Sequence, residues 1–155
     1  MTPLWQQPAV MRQTRLILNS YHRWLGKELI ERSGDETDEA QRLFEASFVV
    51  VSHGIEEDPV LNYGNATALA LWEMNFEHFT STPSRMTAEP DQREERSRLL
   101  QRTTLSGYID DYHGIRITKS GHRFRIAGAT VWNLLDEAEN YAGQAATFSE
   151  YQMLP

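Results

Sequence analysis

HRFRIAGATVWNLLD, residues 122–136, alternates as a strand does and is long enough to cross a whole sheet. Counted with strict alternation, Phe124, Ile126, Thr130, Trp132 and Leu134 share one face, and Arg123, Arg125, Ala127, Ala129 and Val131 share the other. The even face holds the aromatics and is expected to look into the core. The odd face is mixed, and apolar enough to need cover. Upstream, YIDDYHGIRITK (108–119) keeps the same period, and Ser120-Gly121 between the two runs is a hairpin signal. A further run, YAGQAATF (141–148), follows the turn EAEN.

Working outward, FVVVSH (48–53) is β-branched and almost wholly apolar, as a strand covered on both faces requires. GIEED then turns the chain into PVLNYG, an antiparallel partner. Helices are expected at 66–74 and 75–80, followed by the irregular TSTPSRMTAEP. Another helix spans 90–105, with Pro90 in its first turn and Gly107 as its stop. Two strands, a helical block and three strands make an α+β fold: a five-stranded antiparallel sheet with a helical lid on one face.

Before the sheet, Val10, Ile17, Leu18, Tyr21, Trp24, Leu25 and Leu29 recur at three- and four-residue spacing, which predicts an amphipathic helix over 8–32. RSGDETDEA breaks it, and Asp35 or Thr37 caps a short helix running to about Phe44. The expected organisation is an N-terminal helical extension, 1–34, and a single globular unit, 35–155. The extension's apolar stripe either covers the odd face of the long strand or pairs with a second subunit.

The 155 residues suit one domain with a real core. Fifteen Lys and Arg against twenty-two Asp and Glu leave a net charge of -7, which repels phosphate backbones and anionic lipid. Direct binding to nucleic acid or membrane is therefore not expected. The absence of cysteine excludes disulfides, thiolate nucleophiles and cysteinyl adducts. MTPLWQQPAV lacks the basic and apolar regions of a secretory signal, so the cytoplasm is the default expectation.

Several pairs invite a chemical reading and each has a plainer one. Asp111 and His113 share a strand face, but a metal site needs more ligands than these, and a solvated pair explains them. Glu73 and Glu77 stand one helical turn apart, the spacing of an acid-base pair and equally of a wet helix face. Ser52 and His53 are strand neighbours and point to opposite faces, so they form no dyad. Arg116, Lys119, His122, Arg123 and Arg125 concentrate positive charge on the long hairpin, for an anionic ligand or merely to cover strand surface with their stems. Trp72 and Trp132 are expected to approach one another, as a sandwich for a flat ligand or as core.

The blocks SHGIEEDPVLNYGNATALALWEM, PSRMTAEP, GYIDDYHGIRITKSGHRFRI and ATVWNLLDEAENYAGQAATF, in this order, resemble the MEKHLA domain, a relative of the PAS domain. The resemblance spans roughly 12–150. Members occur as stand-alone bacterial and cyanobacterial proteins and at the C-terminus of plant class III homeodomain-leucine zipper proteins. The likeness implies a PAS-type sheet and lid, and places Asn65 at the corner between second strand and first lid helix, where Gly64 relieves the backbone. Flavin photosensors of the superfamily need a lid cysteine that is missing here. Their last strand sets a glutamine two residues after a glycine, whereas Gln144 directly follows Gly143 and is expected on the opposite pleat. PAS relatives that bind haem use a histidine, but of the lid and not of the first strand, where His53 stands. No cofactor is implied.

These readings converge on a non-catalytic sensory module that binds a small apolar or aromatic molecule between lid and sheet and signals through its N-terminal helix or a homodimer interface. Asn65, Trp72, Phe76, Arg85, Tyr112, Phe124 and Trp132 are the expected pocket or gate residues. The alternative is a dimerisation domain with a filled core, and an isomerase-like or hydrolytic enzyme has least support.

Overall fold

In the computed structural model, which describes residues 2–155, so that Met1 of the N-terminal segment falls outside the described residues, one antiparallel sheet runs through the chain. Its strands are β1 (Val49–His53), β2 (Leu61–Gly64), β3 (Tyr108–Ile117), β4 (Arg123–Leu135), β5 (Tyr141–Phe148) and β6 (Glu150–Met153). They lie in the order β2-β1-β5-β4-β3, and β6 also pairs with β4. β6 was not expected from the sequence. It prolongs β5 beyond Ser149 without a change of register, since Thr130 faces Thr147 and Ala127 faces Glu150.

β4 departs from strict alternation at one point, and the departure reassigns its faces. Gly128 takes a left-handed φ of 68°, which glycine adopts without strain, and the pleat slips by one residue. Before the slip, Phe124 and Ile126 look toward the lid; after it, Ala129 and Val131 do. Trp132 and Leu134 therefore belong to the opposite layer, and the expected meeting of Trp72 with Trp132 does not occur.

On the lid side lie α3 (Ala66–Trp72), α4 (Phe76–Phe79) and α5 (Arg93–Ser106). The other layer is built by α1 (Pro8–Leu25) and α2 (Glu36–Phe44), the latter capped by the Asp35 side chain, which accepts from the N–H groups of Thr37 and Asp38. α1 is shorter than its apolar stripe predicts. Gly26, left-handed at φ 71°, stops it, while Leu29 and Ile30 still pack from an irregular segment.

α1 lies against the chain's own β4. Tyr21 meets Trp132 edge-on at 5.0 Å, Trp24 Nε1 donates to the Asn133 carbonyl at 2.9 Å, and Leu135 N donates to Ser20 Oγ at 2.8 Å. Of the two roles open to its stripe, the helix fills the internal one, but after the slip at Gly128 it covers Trp132 and Leu134 of the even face and not the odd face expected. Each of Ile17 and Leu18, buried here, contributes on the order of 2 kcal/mol.

The joint between β2 and α3 is a fully satisfied corner. Asn65 Oδ1 accepts from the N–H groups of Val50 and Ala68, while its Nδ2 donates to the carbonyls of Leu43 and Phe48. Gly64 serves by its lack of a side chain, since a Cβ there would lie 2.7 Å from the Phe79 ring.

Candidate functional site

Between lid and sheet the layers leave a cavity of about 80 Å³. Ligand sites for drug-sized molecules span roughly 300–1,000 Å³. In this conformation the space suits a short-chain molecule or a few waters.

Alternation along β1 turns Val51 and His53 to the cavity and leaves Ser52 on the α1 side, where its hydroxyl donates to Asn62 Oδ1 at 2.6 Å. β3 contributes Tyr112 and Arg116, four residues apart on one face. β5 contributes Gln144 and Phe148, β4 contributes Ile126 and Val131, and α3 ends on Trp72. From α5 come Arg96 and Leu99, which share that helix's buried stripe with Thr103.

The polar wall holds more charge than a core tolerates unaided. Arg96 and Arg116 are each 7% exposed and His53 8%. Burial, followed by the nearby Arg116 charge, pushes the Arg96 guanidinium down to about 10, so it stays cationic at neutral pH. Burial also holds His53 below the usual imidazole range, with the positive charge of Arg96 adding to the effect, so the ring is neutral at pH 7. Its Nδ1 lies 3.0 Å from the Gly54 carbonyl, and its Nε2 has no partner. Burial raises the Tyr112 phenol, whose O–H donates to Glu95 at 2.9 Å, and Arg116 lies over the Tyr112 ring at 5.4 Å from the ring centre.

Gln144 ties this wall to the helices. Its Nε2 is within hydrogen-bond distance of Leu100 O, Thr104 Oγ1 and Asn133 Oδ1, at 3.0 to 3.1 Å. An amide has two N–H donors for these three acceptors, so the network has an unused alternative. His53, Leu100 and Gln144 line both the cavity and an outer groove beside Leu105 and Tyr141.

Of the residues singled out in the sequence, Trp72 and Tyr112 line the cavity, and Phe124 supports it from beneath, 5.3 Å from the Trp72 ring. The others lie elsewhere. Trp132 packs under α1, for the reason given by Gly128. Asn65 spends its side chain on the corner, and Phe76 packs edge-on against Tyr63 in the α1-side layer. Arg85 is a surface clip, its Nε on both Asp58 oxygens at 3.1 and 3.2 Å. Gln144 corrects a further expectation, since its pleat is set by pairing with His53 and Asn133, and that pleat faces the lid.

His53, Arg96, Arg116 and Gln144 line the cavity and were missing from the expected pocket residues. Arg116 was legible: it stands at strand spacing from Tyr112. Arg96 carried a fainter signal, a cation in the buried register of Leu99 and Thr103.

Elsewhere, the paired candidates have structural partners. Asp111 and His113 are 3.1 Å apart on the exposed surface, and among the described residues no group of three or more ligating side chains could hold a metal. Glu73, at the end of α3, accepts from Ser120 N at 2.9 Å and fastens the lid to the β3–β4 turn. Among the described residues no helix is long and apolar enough to cross a membrane.

Comparison with known proteins agrees with this architecture. The family model described as the MEKHLA domain matches residues 11–153. Among curated proteins none matches the sequence. The PAS domain of a protein from Colwellia psychrerythraea superposes with a TM-score of 0.64 at 14% identity, over 76% of this chain and 94% of that one. The light-state dimer of the fungal blue-light photoreceptor Vivid gives 0.60 at 12% identity, over 96% and 97%. A light-oxygen-voltage domain studied with a flavin analogue gives 0.55 at 13% identity, over 75% and 84%. At identities this low the likeness is one of fold.

Proposed function

This chain belongs to the MEKHLA domain family and has the PAS fold, and from that premise we propose that it is a non-catalytic, cytoplasmic sensory module that binds a small molecule between lid and sheet. The observation that carries the reading is the cavity itself: a void walled by aromatics and by buried polar groups that lack partners. A core built only for stability would close such a void, because empty space and unpaired polar atoms both cost free energy.

Occupancy has a route to the N-terminal helix. Gln144, on the cavity wall, meets Asn133, whose carbonyl receives Trp24 Nε1 from α1. A ligand that draws Gln144 away from one of its three acceptors shifts Asn133 between hydrogen-bond partners, and α1 rests on that residue. Binding switches the module to the extent that the ligand prefers one of these arrangements. Net charge -7 argues for a small molecule or protein as partner and against nucleic acid.

The competing reading, a dimerisation module with a filled core, draws on the small volume of the cavity. The sheet face such a dimer would use is already covered by α1. Native mass spectrometry of the purified full-length chain separates the two readings. A bound small molecule, or saturable stabilisation by added compounds, supports the sensory module. A ligand-free dimer that no compound stabilises would replace it with the dimerisation module.

A further inference from the structure

Arg96 and Arg116 are buried to the same degree, border the same cavity and repel one another, yet neither forms an ion pair among the described residues. Arg96 is held by Ser84 Oγ, and Arg116 donates to the Ile115 carbonyl at 2.9 Å. Neutral oxygens and the Tyr112 ring offset part of the charge, but a buried cation without a counter-ion remains costly. The carboxylates nearby are otherwise engaged. Glu95 accepts from the Tyr112 hydroxyl, and Asp58 is clipped by Arg85 at the surface.

Two arginines that border one cavity, neither paired with a carboxylate among the described residues, describe half of an ion-paired site. Two further groups on the same wall lack partners, His53 Nε2 and Trp72 Nε1, although both residues are more than nine-tenths buried. Much of the remaining lining is apolar, with Val51, Phe79, Val131 and Phe148 prominent. A bare inorganic oxyanion would leave that surface unfilled.

We propose that the cavity is a carboxylate site: Arg96 and Arg116 receive the carboxylate of a short-chain organic acid, and Trp72, Phe79 and Phe148 enclose its apolar body. The assignment rests on the ligand-binding reading above and names its chemical class. The guanidinium is suited to the role because its planar fork matches the two carboxylate oxygens. The volume selects a short acid, and a larger aromatic acid requires the lid to move outward.

The test is thermal unfolding and calorimetric titration of the full chain with butyrate, succinate and benzoate, beside butyramide, benzamide and inorganic phosphate. At least one carboxylate is expected to bind saturably, at least tenfold more tightly than its amide or phosphate. In Arg96→Met that affinity should fall at least tenfold, while the melting temperature without ligand stays level or rises, because one of two repelling charges has gone. Amides binding as well as acids would leave the cavity reading standing and overturn the carboxylate assignment, as would binding of phosphate alone. Binding by none of the six compounds overturns the carboxylate assignment, and the ligand-binding reading is then decided by the native mass spectrum. A steep loss of stability in ligand-free Arg96→Met would also overturn the assignment, since the charge would then be satisfied within the chain; Arg116→Met provides the same readout from β3.

Discussion

The two faces of this sheet are made by the same strands and are finished differently. Under α1, the layer of Val50, Tyr63, Trp132 and Leu134 is fully buried, with the Tyr63 hydroxyl and Trp132 Nε1 left without partners, and the helix returns hydrogen bonds to β4 through Ser20 and Trp24. Under the lid, an equally aromatic layer surrounds a void with two cations and an imidazole on its wall. The difference separates two tasks. One face holds the fold together, and the other is left incomplete at a cost that the first can carry.

The sharpest way to break this comparison is Trp132→Ala. Removing a fully buried indole from a filled layer is expected to cost about 3–5 kcal/mol, measured by denaturant unfolding of the full chain. A cost below about 1 kcal/mol would mean that the α1 face is not the stabilising one.

Next in size is the corner that joins the faces. Asn65→Asp keeps the oxygen that caps α3 and replaces the donor that serves Leu43 and Phe48. Two buried carbonyls would then face a carboxylate, and a loss of about 2–4 kcal/mol is expected from unsatisfied and opposed polar groups. Asn65→Ala should lose the cap as well. If Asp is tolerated within about 0.5 kcal/mol, the corner is held by packing and the donor bonds are incidental.

These positions differ in how far the sequence revealed them. The lid, the hairpins and the order of elements were legible because apolar period and glycine stops are local properties. Asn65 was placed at the corner by the family likeness, which its cap on α3 matches. The faces of β4 were not, because the pleat slip depends on one glycine whose conformation alternation cannot anticipate. Thus Trp132 was expected in the cavity and lies behind the sheet. β6 was hidden by Ser149, and the helix end at Gly26 by an apolar stripe that continues past it. Arg96 was hard to read as a site residue for a different reason: arginine is ordinarily a surface residue, and composition says nothing about a missing counter-ion.

Gly128 sharpens the comparison at the place where the faces exchange. A Cβ there meets nothing within 4 Å, so Gly128→Ala removes no contact and crowds none. Its only cost is the left-handed backbone, about 1–2 kcal/mol. Gly128→Asn, which tolerates that conformation better, should recover part of it. A much larger loss for alanine would show that the slip is under strain beyond its own residue.

The smallest effect belongs to the incomplete face and appears only with pH. His53 is buried, and its folded pKa lies below the ordinary 6.5. Well above pH 6.5 the ring is neutral in both folded and unfolded chains and contributes no slope. As pH falls below 6.5 the unfolded chain takes up a proton that the folded chain refuses, so stability declines, by no more than about 1.4 kcal/mol per pH unit for a single proton. The charges nearby are Arg96, which deepens the refusal, and Glu56, which opposes it. Unfolding of the full chain between pH 7.5 and 5.5 should therefore show a decline that is absent in His53→Asn once the carboxylates' common background is subtracted. The same experiment with a bound carboxylate should flatten the slope, because an anion beside the imidazole favours its protonated form and returns to this face the negative charge it lacks. A slope identical in both proteins would place His53 outside the electrostatics of the cavity, and the contrast between the faces would then rest on the two arginines alone.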